Sequence, residues 1–333
     1  MSSDYPPERP CIVTAVDIPM DIQHLVDPEL LPLLGQLPAM DLRAETLAAN
    51  RELMAAMVAN EIAGGVEVRH HSARGAKGAP DVALLVFTPT ARAAQRPGLI
   101  FIHGGGFVLG SAEGFSGPCA ALALEHDCVV VSVDYRLAPE TPYPGPLEDC
   151  YAGLCWTFAH AQALGIDPAR IALTGPSAGG GLAAALALAA RDRAGPRLCT
   201  QILVYPMLDW RTGTDAAPFT NPVAGRVGWT ADQNRFGWEA MIGGNEAARR
   251  APWCSPALAQ SLAGLPPTFI AVGMLDLFVD EDVEYARRLI AAGVPTELHV
   301  YPGAFHGFDF APEAGVSSRF RRDLSSAIER AFQ

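Results

Sequence analysis

The sequence has little charge, and most of that charge is negative. Charged residues make up 18% of the 333-residue chain, and the formal net charge is −12. Proteins bind nucleic acids and anionic lipid surfaces through clustered Lys and Arg, and the chain has no such cluster. We therefore expect no nucleic-acid partner and no stable association with a membrane surface.

Cysteine pairs at metal-binding spacing are also missing. The seven cysteines are scattered along the chain, and no two of them form a C-x-x-C pair. Such scatter is typical of reduced, buried thiols and not of a zinc site or a disulfide framework. We expect neither a metal site nor a disulfide framework.

Long apolar runs are absent as well. The start of the chain has neither a basic region nor a continuous apolar segment of the secretory type. The longest apolar helical run, residues 178–190, is shorter than the roughly 20 residues that a membrane span needs. These features predict a buried helix at 178–190 and a cytoplasmic protein.

The chain nevertheless has enough apolar residues for a large core, since 50% of them are hydrophobic. About eight β-rich runs alternate with helical patterns, and the middle runs are apolar on both faces. This predicts a mostly parallel sheet with helices on both faces and an antiparallel edge at its first two strands. The predicted strands are 66–71, 82–89, 98–105, 128–135, 170–177, 201–206, 268–273 and 296–301. The predicted helices are 118–126, 146–163, 178–193, 279–292 and 317–331.

Two segments do not follow this alternation. Residues 1–60 are mostly helical in pattern, and residues 209–256 are rich in Trp, Gly and Pro. We predict that they form two parts of a cap over a catalytic core made of residues 61–208 and 257–333.

The strongest local motif is G-P-S-A-G at residues 175–179, between a predicted strand and a helix of small residues. A nucleophile elbow needs this context, because the serine must project from a strained turn above the sheet. The motif predicts Ser177 as the nucleophile of an acyl-transfer enzyme. Its alternative interpretation is a glycine-rich helix start capped by a serine.

A second motif, H-G-G-G-F at residues 103–107, follows a strand upstream of the elbow. Glycines there expose backbone N–H groups where an oxyanion hole is needed. A phosphate-binding loop is the alternative, but the G-x-G-x-x-G and G-K-[ST] patterns are missing. The two motifs together are more specific than either alone.

A serine nucleophile also needs a base and an orienting carboxylate, which follow it in the order acid and then histidine. Asp276 follows the strand 268–273, and His306 follows the strand 296–301. We predict Ser177, Asp276 and His306 as the catalytic triad. The rival acids fall at the start of the next helix, where we interpret them as N-terminal caps: Asp280, Glu281 and Asp282. The rival histidines lie in strands, in helices or before the elbow: His70, His71, His103, His126, His160 and His299.

Five segments resemble the hormone-sensitive-lipase-like (family IV) bacterial esterases of the α/β-hydrolase fold. They are HGGGF, GPSAGGG, DYRLAPE at 134–140, YPMLD at 205–209 and YPGAFHGF at 301–308. The resemblance spans nearly the whole chain and implies an α/β-hydrolase core with a helical cap. It also implies hydrolysis of esters with short to medium acyl chains, with Gly105, Gly106 and Ala178 as oxyanion donors. The chain departs from the family at Pro176, where relatives usually carry Asp, Glu, Thr or another residue. Proline fixes φ and removes one N–H from the turn.

The expected substrate is a small-molecule ester, cleaved without a metal or an organic cofactor. Aromatic residues of the predicted cap and loops could line an apolar pocket or equally fill the core of the cap: Phe107, Trp210, Phe219, Trp229, Phe236 and Trp238. Conversely, we assign Tyr135, Arg136, Glu140 and Asp149 to structure. Family relatives often dimerise through the last strand and helix, so a homodimer is a further expectation. Amide or lactone hydrolysis and a non-catalytic binding protein stay open as alternatives.

Overall fold

One sheet of eight strands organises the protein. The computed structural model describes residues 22–37, 40–57, 62, 64–91, 93 and 95–333. The strands are Val66–Ala73 (β1), Val82–Pro89 (β2), Arg96–Ile102 (β3), Val129–Asp134 (β4), Ile166–Pro176 (β5), Thr200–Val204 (β6), Thr268–Gly273 (β7) and Thr296–Tyr301 (β8).

The strand order is β1-β2-β4-β3-β5-β6-β7-β8. β1 pairs antiparallel with β2, and β2 pairs antiparallel with β4, whereas every other pair is parallel. Every residue of β7 is buried, whereas every residue of β1 except Ala73 is partly or fully exposed. The mostly parallel sheet with an antiparallel edge is thereby confirmed, since central strands are covered on both faces and edge strands are not.

The helices are Leu31–Leu34 (α1), Leu47–Met57 (α2), Ser116–Glu125 (α3), Gly145–His160 (α4), Ala178–Asp192 (α5), Ala231–Ile242 (α6), Val279–Ala291 (α7) and Gly315–Ala331 (α8). Five of the helices lie within a few residues of the predicted positions: α3, α4, α5, α7 and α8. Helices α1 and α2 precede β1 in the segment predicted to be mostly helical, and α6 lies in the segment 209–256, for which no helix was predicted. Short 3₁₀ turns lie at Gln23–Leu25, Pro28–Leu30, Ala248–Arg250, Pro256–Leu258 and Phe308–Phe310.

The apolar core is divided between the two faces of the sheet. Successive residues of β3 point to opposite sides, so that Ile100 belongs to one cluster and Leu99 to the other. The first cluster includes Leu154 of α4, and the second includes Phe320 of α8. This alternation explains why β3 is a continuous apolar run in the sequence.

Helix α5 is the buried helix predicted at 178–190, since every residue from Ala178 to Ala190 is buried. Its small side chains let the helix pack closely on the sheet below it. Among the described residues, no helix is both long enough and apolar enough to span a membrane.

The two predicted parts of the cap contact each other. The Gln233 side-chain amide, in the first turn of α6, donates to the backbone carbonyl of Met40 over 2.8 Å. Gln233 also forms a capping box with Thr230, which fixes the start of α6. Residues 1–21, 38–39, 58–61 and 63 of the predicted cap region and its border lie outside the described residues. The division into cap and core stays a prediction.

Candidate active site

Ser177 lies in the sharp turn between β5 and α5. Its backbone has φ 57° and ψ −123°, a conformation that is costly for a residue with a side chain. The flanking glycines are required by space, because a Cβ on Gly175 would lie 2.5 Å from the Gly179 carbonyl carbon. A Cβ on Gly179 would lie 2.1 Å from the Ile102 oxygen. The turn therefore has the strained geometry expected of a nucleophile elbow.

Pro176 is accommodated in this turn. Alternate residues of a strand donate to opposite neighbours, and the Ser177 amide donates to Val204 of β6 over 2.8 Å. An amide at position 176 would therefore face the β3 side, where the pairing with β5 has already ended at Thr174. The missing N–H of proline costs the sheet no hydrogen bond here.

Three side chains predicted as a triad lie within hydrogen-bonding distance of one another. His306 Nε2 is 2.9 Å from Ser177 Oγ, and His306 Nδ1 is 2.7 Å from Asp276 Oδ2. The other carboxylate oxygen of Asp276 accepts a hydrogen bond of 3.0 Å from the Phe278 amide. Asp276 is fully buried and Ser177 is 7% exposed. This geometry would allow a proton to move from Ser177 to His306, and the catalytic roles themselves stay a prediction.

The loops after β7 and β8 hold the acid and the histidine together. The Met274 amide donates to the Tyr301 carbonyl over 2.9 Å, and the Leu275 amide donates to the Ala304 carbonyl over 2.9 Å. These bonds tie the residues just before Asp276 to the loop that carries His306.

Two aromatic rings that the sequence analysis did not assign to the site pack against His306. Tyr205 and Phe278 lie edge-on to the imidazole at centroid distances of 4.6 Å and 5.2 Å. The Tyr205 hydroxyl donates to Asp309 over 2.9 Å. In the sequence, Tyr205 is marked only by its place directly after β6, and Phe278 only by its place two residues after Asp276.

The rival acids lie in the first turn of α7, but none of the three caps it, because the N-cap residue is Phe278 and no side chain accepts a capping hydrogen bond there. This corrects that interpretation. Glu281 is buried and accepts hydrogen bonds from the amides of Leu208 at 2.6 Å and Asp209 at 3.3 Å. Asp282 is buried, and neither of its oxygens has a partner among the described residues. Burial raises the pKa of both carboxyl groups well above the usual range.

His103 shapes the glycine loop, in line with its place in H-G-G-G-F. Its Nδ1 lies 2.9 Å from the Gly104 carbonyl oxygen, and its ring stacks on Tyr135 at 4.1 Å. The Tyr135 hydroxyl donates back to the His103 carbonyl over 2.9 Å. Complete burial lowers the pKa of His103 to about 4, so the imidazole is neutral near pH 7.

Two of the predicted oxyanion donors, Gly105 and Gly106, line the same cavity as Ser177, and Ala178 directly follows Ser177 in the chain. Gly105 and Gly106 have φ values of 120° and 58°, which favour glycine, and Ala178 is the first residue of α5. Within the described ranges, none of these three amides donates a hydrogen bond to another protein group. Free amides beside a nucleophile suit an oxyanion hole, and this role stays a prediction.

A cavity of about 960 Å³ opens at Ser177 and His306. Residues of both predicted cap segments line it, and it continues between α3 and α8. The cap residues on its wall are Leu37, Met40, Met54, Gly228, Trp229 and Gln233. The volume is at the upper end of the range for small-molecule sites.

The prediction of pocket aromatics is corrected for most of its members. Trp229 lines the cavity, with its ring 6.3 Å from that of His306. Phe107 and Trp238 instead pack on each other at 4.9 Å and are buried, while Phe236 packs on the core. Phe219 is 43% exposed. Phe107, Phe236 and Trp238 pack in one apolar cluster and are not among the residues that line the cavity, so for Phe236 and Trp238 the alternative interpretation, the core of the cap, fits.

Across the described parts of the chain, no three His, Cys, Asp or Glu side chains are grouped so that they could hold a metal ion. The described cysteines are free thiols. Cys11 lies outside the described residues.

Comparison with known proteins identifies the family to which the chain belongs. The profile of the α/β-hydrolase fold family matches residues 99–310, which is more than half of the chain. The chain therefore belongs to the α/β-hydrolase fold family, in the hormone-sensitive-lipase-like group that its motifs predict.

Similar proteins include named esterases. Esterase LipI of Mycobacterium tuberculosis is 38% identical over 217 residues, which are 65% of this chain and 66% of LipI. Carboxylesterase NlhH of the same species is 34% identical over 267 residues, 78% of this chain and 81% of NlhH. A solved structure of a bacterial heroin esterase has 40% identity and a TM-score of 0.86, covering 93% of this chain and 99% of that chain.

Proposed function

We propose that this protein is a serine carboxylesterase that hydrolyses small carboxylic esters through an acyl-enzyme intermediate. The observation that carries the proposal is the hydrogen-bonded chain from Ser177 Oγ through His306 to buried Asp276, at 2.9 Å and 2.7 Å. Relatives named esterases and carboxylesterases at 34–40% identity support the same reaction.

In the acylation step, neutral His306 accepts the Ser177 proton as Oγ attacks the ester carbonyl. Asp276 holds the imidazole in place and stabilises the imidazolium that forms. The amides of Gly105, Gly106 and Ala178 stabilise the tetrahedral oxyanion. The alcohol then leaves with the proton from His306, and the acyl group stays on Ser177.

In the deacylation step, water takes the place of the alcohol. His306 accepts a proton from water, and the resulting hydroxide equivalent attacks the acyl-enzyme. The second tetrahedral intermediate then collapses: the bond between the acyl carbon and Ser177 Oγ breaks, His306 returns the proton to Oγ, and the acid and the free serine are released. Each bond change uses only the ester, water and these side chains, so the proposed reaction requires no cofactor.

We propose short- to medium-chain esters as substrates, in keeping with the family. The cavity of about 960 Å³ could also hold a bulkier alcohol group. The predicted cap, 1–60 with 209–256, would form one wall of this site, because Met54 and Trp229 both face the cavity. Cytoplasmic location and homodimerisation stay predictions, and light scattering after size exclusion tests the second.

Hydrolysis of p-nitrophenyl esters from acetate to palmitate tests the proposal. We expect rapid cleavage of short esters, slow cleavage of long ones and no turnover by Ser177→Ala. Ser72→Ala, an exposed serine of β1, is the matched control and should keep wild-type rates. If the wild-type chain cleaves no ester, the esterase proposal is wrong, and parallel assays with amides and lactones separate the other hydrolases from a binding protein.

A further inference from the structure

Arg51 of helix α2 reaches out of the predicted cap and holds two loops of the core. Its Nε donates to the Val108 carbonyl over 2.8 Å, and its Nη2 donates to the Ala138 carbonyl over 3.1 Å. Its Nη1 and Nη2 also donate to the two carboxylate oxygens of Glu140, each over 2.8 Å. One guanidinium therefore joins three segments that are far apart in sequence.

The first of these loops carries the predicted oxyanion donors. Val108 lies two residues after Gly106, and the amides of Val108 and Leu109 donate to the Gly105 carbonyl over 3.1 Å and 2.8 Å. A force on the Val108 carbonyl is thus transmitted directly to the peptide of Gly105. The loop has little freedom of its own, since a Cβ on Gly105 would lie 2.3 Å from the Leu109 oxygen.

The second loop, which carries Ala138 and Glu140, is hydrogen-bonded to the first. The Ala138 amide donates to the Phe107 carbonyl over 3.0 Å, and Phe107 has the unusual φ of 67°. Arg51 donates to the carbonyl of this same Ala138, so it holds the second loop as well as the glycine loop in place. The ion pair with Glu140 orients the guanidinium, and it lowers the pKa of Glu140 to about 2.

The same helix also faces the substrate cavity. Met54 is three residues after Arg51, so the two side chains are adjacent on the surface of α2, and Met54 lines the cavity. Helix α2 therefore contacts the space for substrate through one side chain and the glycine loop through another.

We propose that Arg51 is a positioning residue for the oxyanion hole of the proposed esterase, through which α2 fixes the amides of Gly105 and Gly106. Two carbonyls and a carboxylate arranged around one planar group suit arginine. Lysine has a single ammonium and cannot reproduce all four contacts.

The test compares Arg51→Ala and Arg51→Lys with Arg193→Ala in the full chain. Arg193 is a matched control because it also makes a two-fold contact with a carboxylate, Glu148, and its side chain is 25% exposed against 30% for Arg51. The readouts are kcat and KM for p-nitrophenyl butyrate, the thermal midpoint, and the inhibition constant of an alkyl trifluoromethyl ketone. This ketone adds the serine to form a tetrahedral oxyanion, so its affinity reports on the hole.

We expect Arg51→Ala to lower kcat by about tenfold or more, below the 10²–10³ lost with a whole oxyanion donor. KM should change by less than about threefold, and the inhibition constant should rise by the same factor as kcat/KM falls. Arg51→Lys should be intermediate. Arg193→Ala should keep the wild-type kcat and inhibition constant, even where its thermal midpoint falls as far.

The proposal would be overturned if Arg51→Lys and Arg51→Ala both had the kcat and the inhibition constant of the wild-type enzyme. If Arg51→Ala does not fold, Arg51→Lys decides alone, and wild-type values in it have the same meaning. Equal losses in Arg193→Ala would likewise overturn it, because they would reflect general destabilisation. A wild-type chain that cleaves no ester contradicts the proposed function, whereas an active wild type with unaffected Arg51 variants contradicts only the role of Arg51.

Discussion

Gly106→Ala should damage catalysis far more than stability. Gly106 has φ 58°, and a Cβ added there would lie 2.5 Å from Cη2 and 2.7 Å from Cζ2 of Trp229. Trp229 is only 6% exposed, and its Nε1 donates to Asn234 over 3.3 Å, so the ring has little room to retreat. The glycine loop must therefore move.

The size of the movement sets the expected loss. Carbon atoms in contact prefer about 3.5–4.0 Å, so a 2.5 Å approach requires a shift of about 1 Å. An oxyanion donor works at about 2.7–3.1 Å, and a shift of that size removes its hydrogen bond. We therefore expect kcat to fall by about 10²–10³, the loss that follows removal of one donor.

Gly165→Ala provides the matched control. Gly165 has φ 68°, close to that of Gly106, but an added Cβ there would meet nothing within 4 Å. Both variants introduce a side chain into the left-handed region, which costs roughly 1–2 kcal/mol of stability. Urea denaturation should show similar losses for the two variants, and p-nitrophenyl butyrate hydrolysis should fall only in Gly106→Ala.

A Gly106→Ala enzyme with kcat within about twofold of wild type would refute this reasoning. It would mean that the Gly106 amide is not an oxyanion donor, or that Trp229 yields without cost. Equal losses of kcat in both variants would point instead to a general effect of the added strain.

Two further predictions concern buried carboxylates. Burial raises the pKa of Asp282 in the folded state. As the pH rises above the ordinary pKa of an aspartate, the unfolded chain loses this proton while the folded protein keeps it. The free energy of unfolding therefore falls as the pH rises from the ordinary pKa to the raised one. Asp282→Asn should therefore raise the thermal midpoint at about pH 8 and change it little at about pH 4, and a gain that is equal at both pH values contradicts this. Asp149 is fully buried and accepts three hydrogen bonds of 2.7–3.0 Å from Arg136. Asp149→Ala should cost about 2–3 kcal/mol in urea denaturation, less than a fully buried pair because Arg136 is 32% exposed, and a loss under about 1 kcal/mol would show that the pair is dispensable.

Much of the fold could be predicted because its signals are local. An apolar run on both faces, as in β7, reports a covered parallel strand without knowledge of its neighbours. The same holds for the elbow, since G-P-S-A-G between a strand and a helix of small residues is a pattern of neighbouring residues, and the H-G-G-G-F motif upstream makes it more specific. Asp276 and His306 could be chosen because parallel strands end at one edge of a sheet, so residues after β7 and β8 lie near each other.

Other features depend on contacts that leave no local pattern. Glu281 and Asp282 stand at a helix start and predict caps, but the packing of α7 buries both of them. Phe107 and Trp229 are both aromatic, so the sequence does not distinguish them. Only the structure shows that Phe107 packs on Trp238 while Trp229 lines the cavity.

The sequence by itself determined the eight strands and five of the helices along the chain, the position of the elbow and the three side chains predicted to act there. It did so because periodicity, glycine placement and strand ends are properties of neighbouring residues. The tertiary structure alone decided which aromatic rings meet the cavity, which carboxylates are buried, and that Arg51 contacts Val108 and Glu140, 57 and 89 residues away. Such contacts depend on how distant segments pack, and no spacing in the chain encodes them.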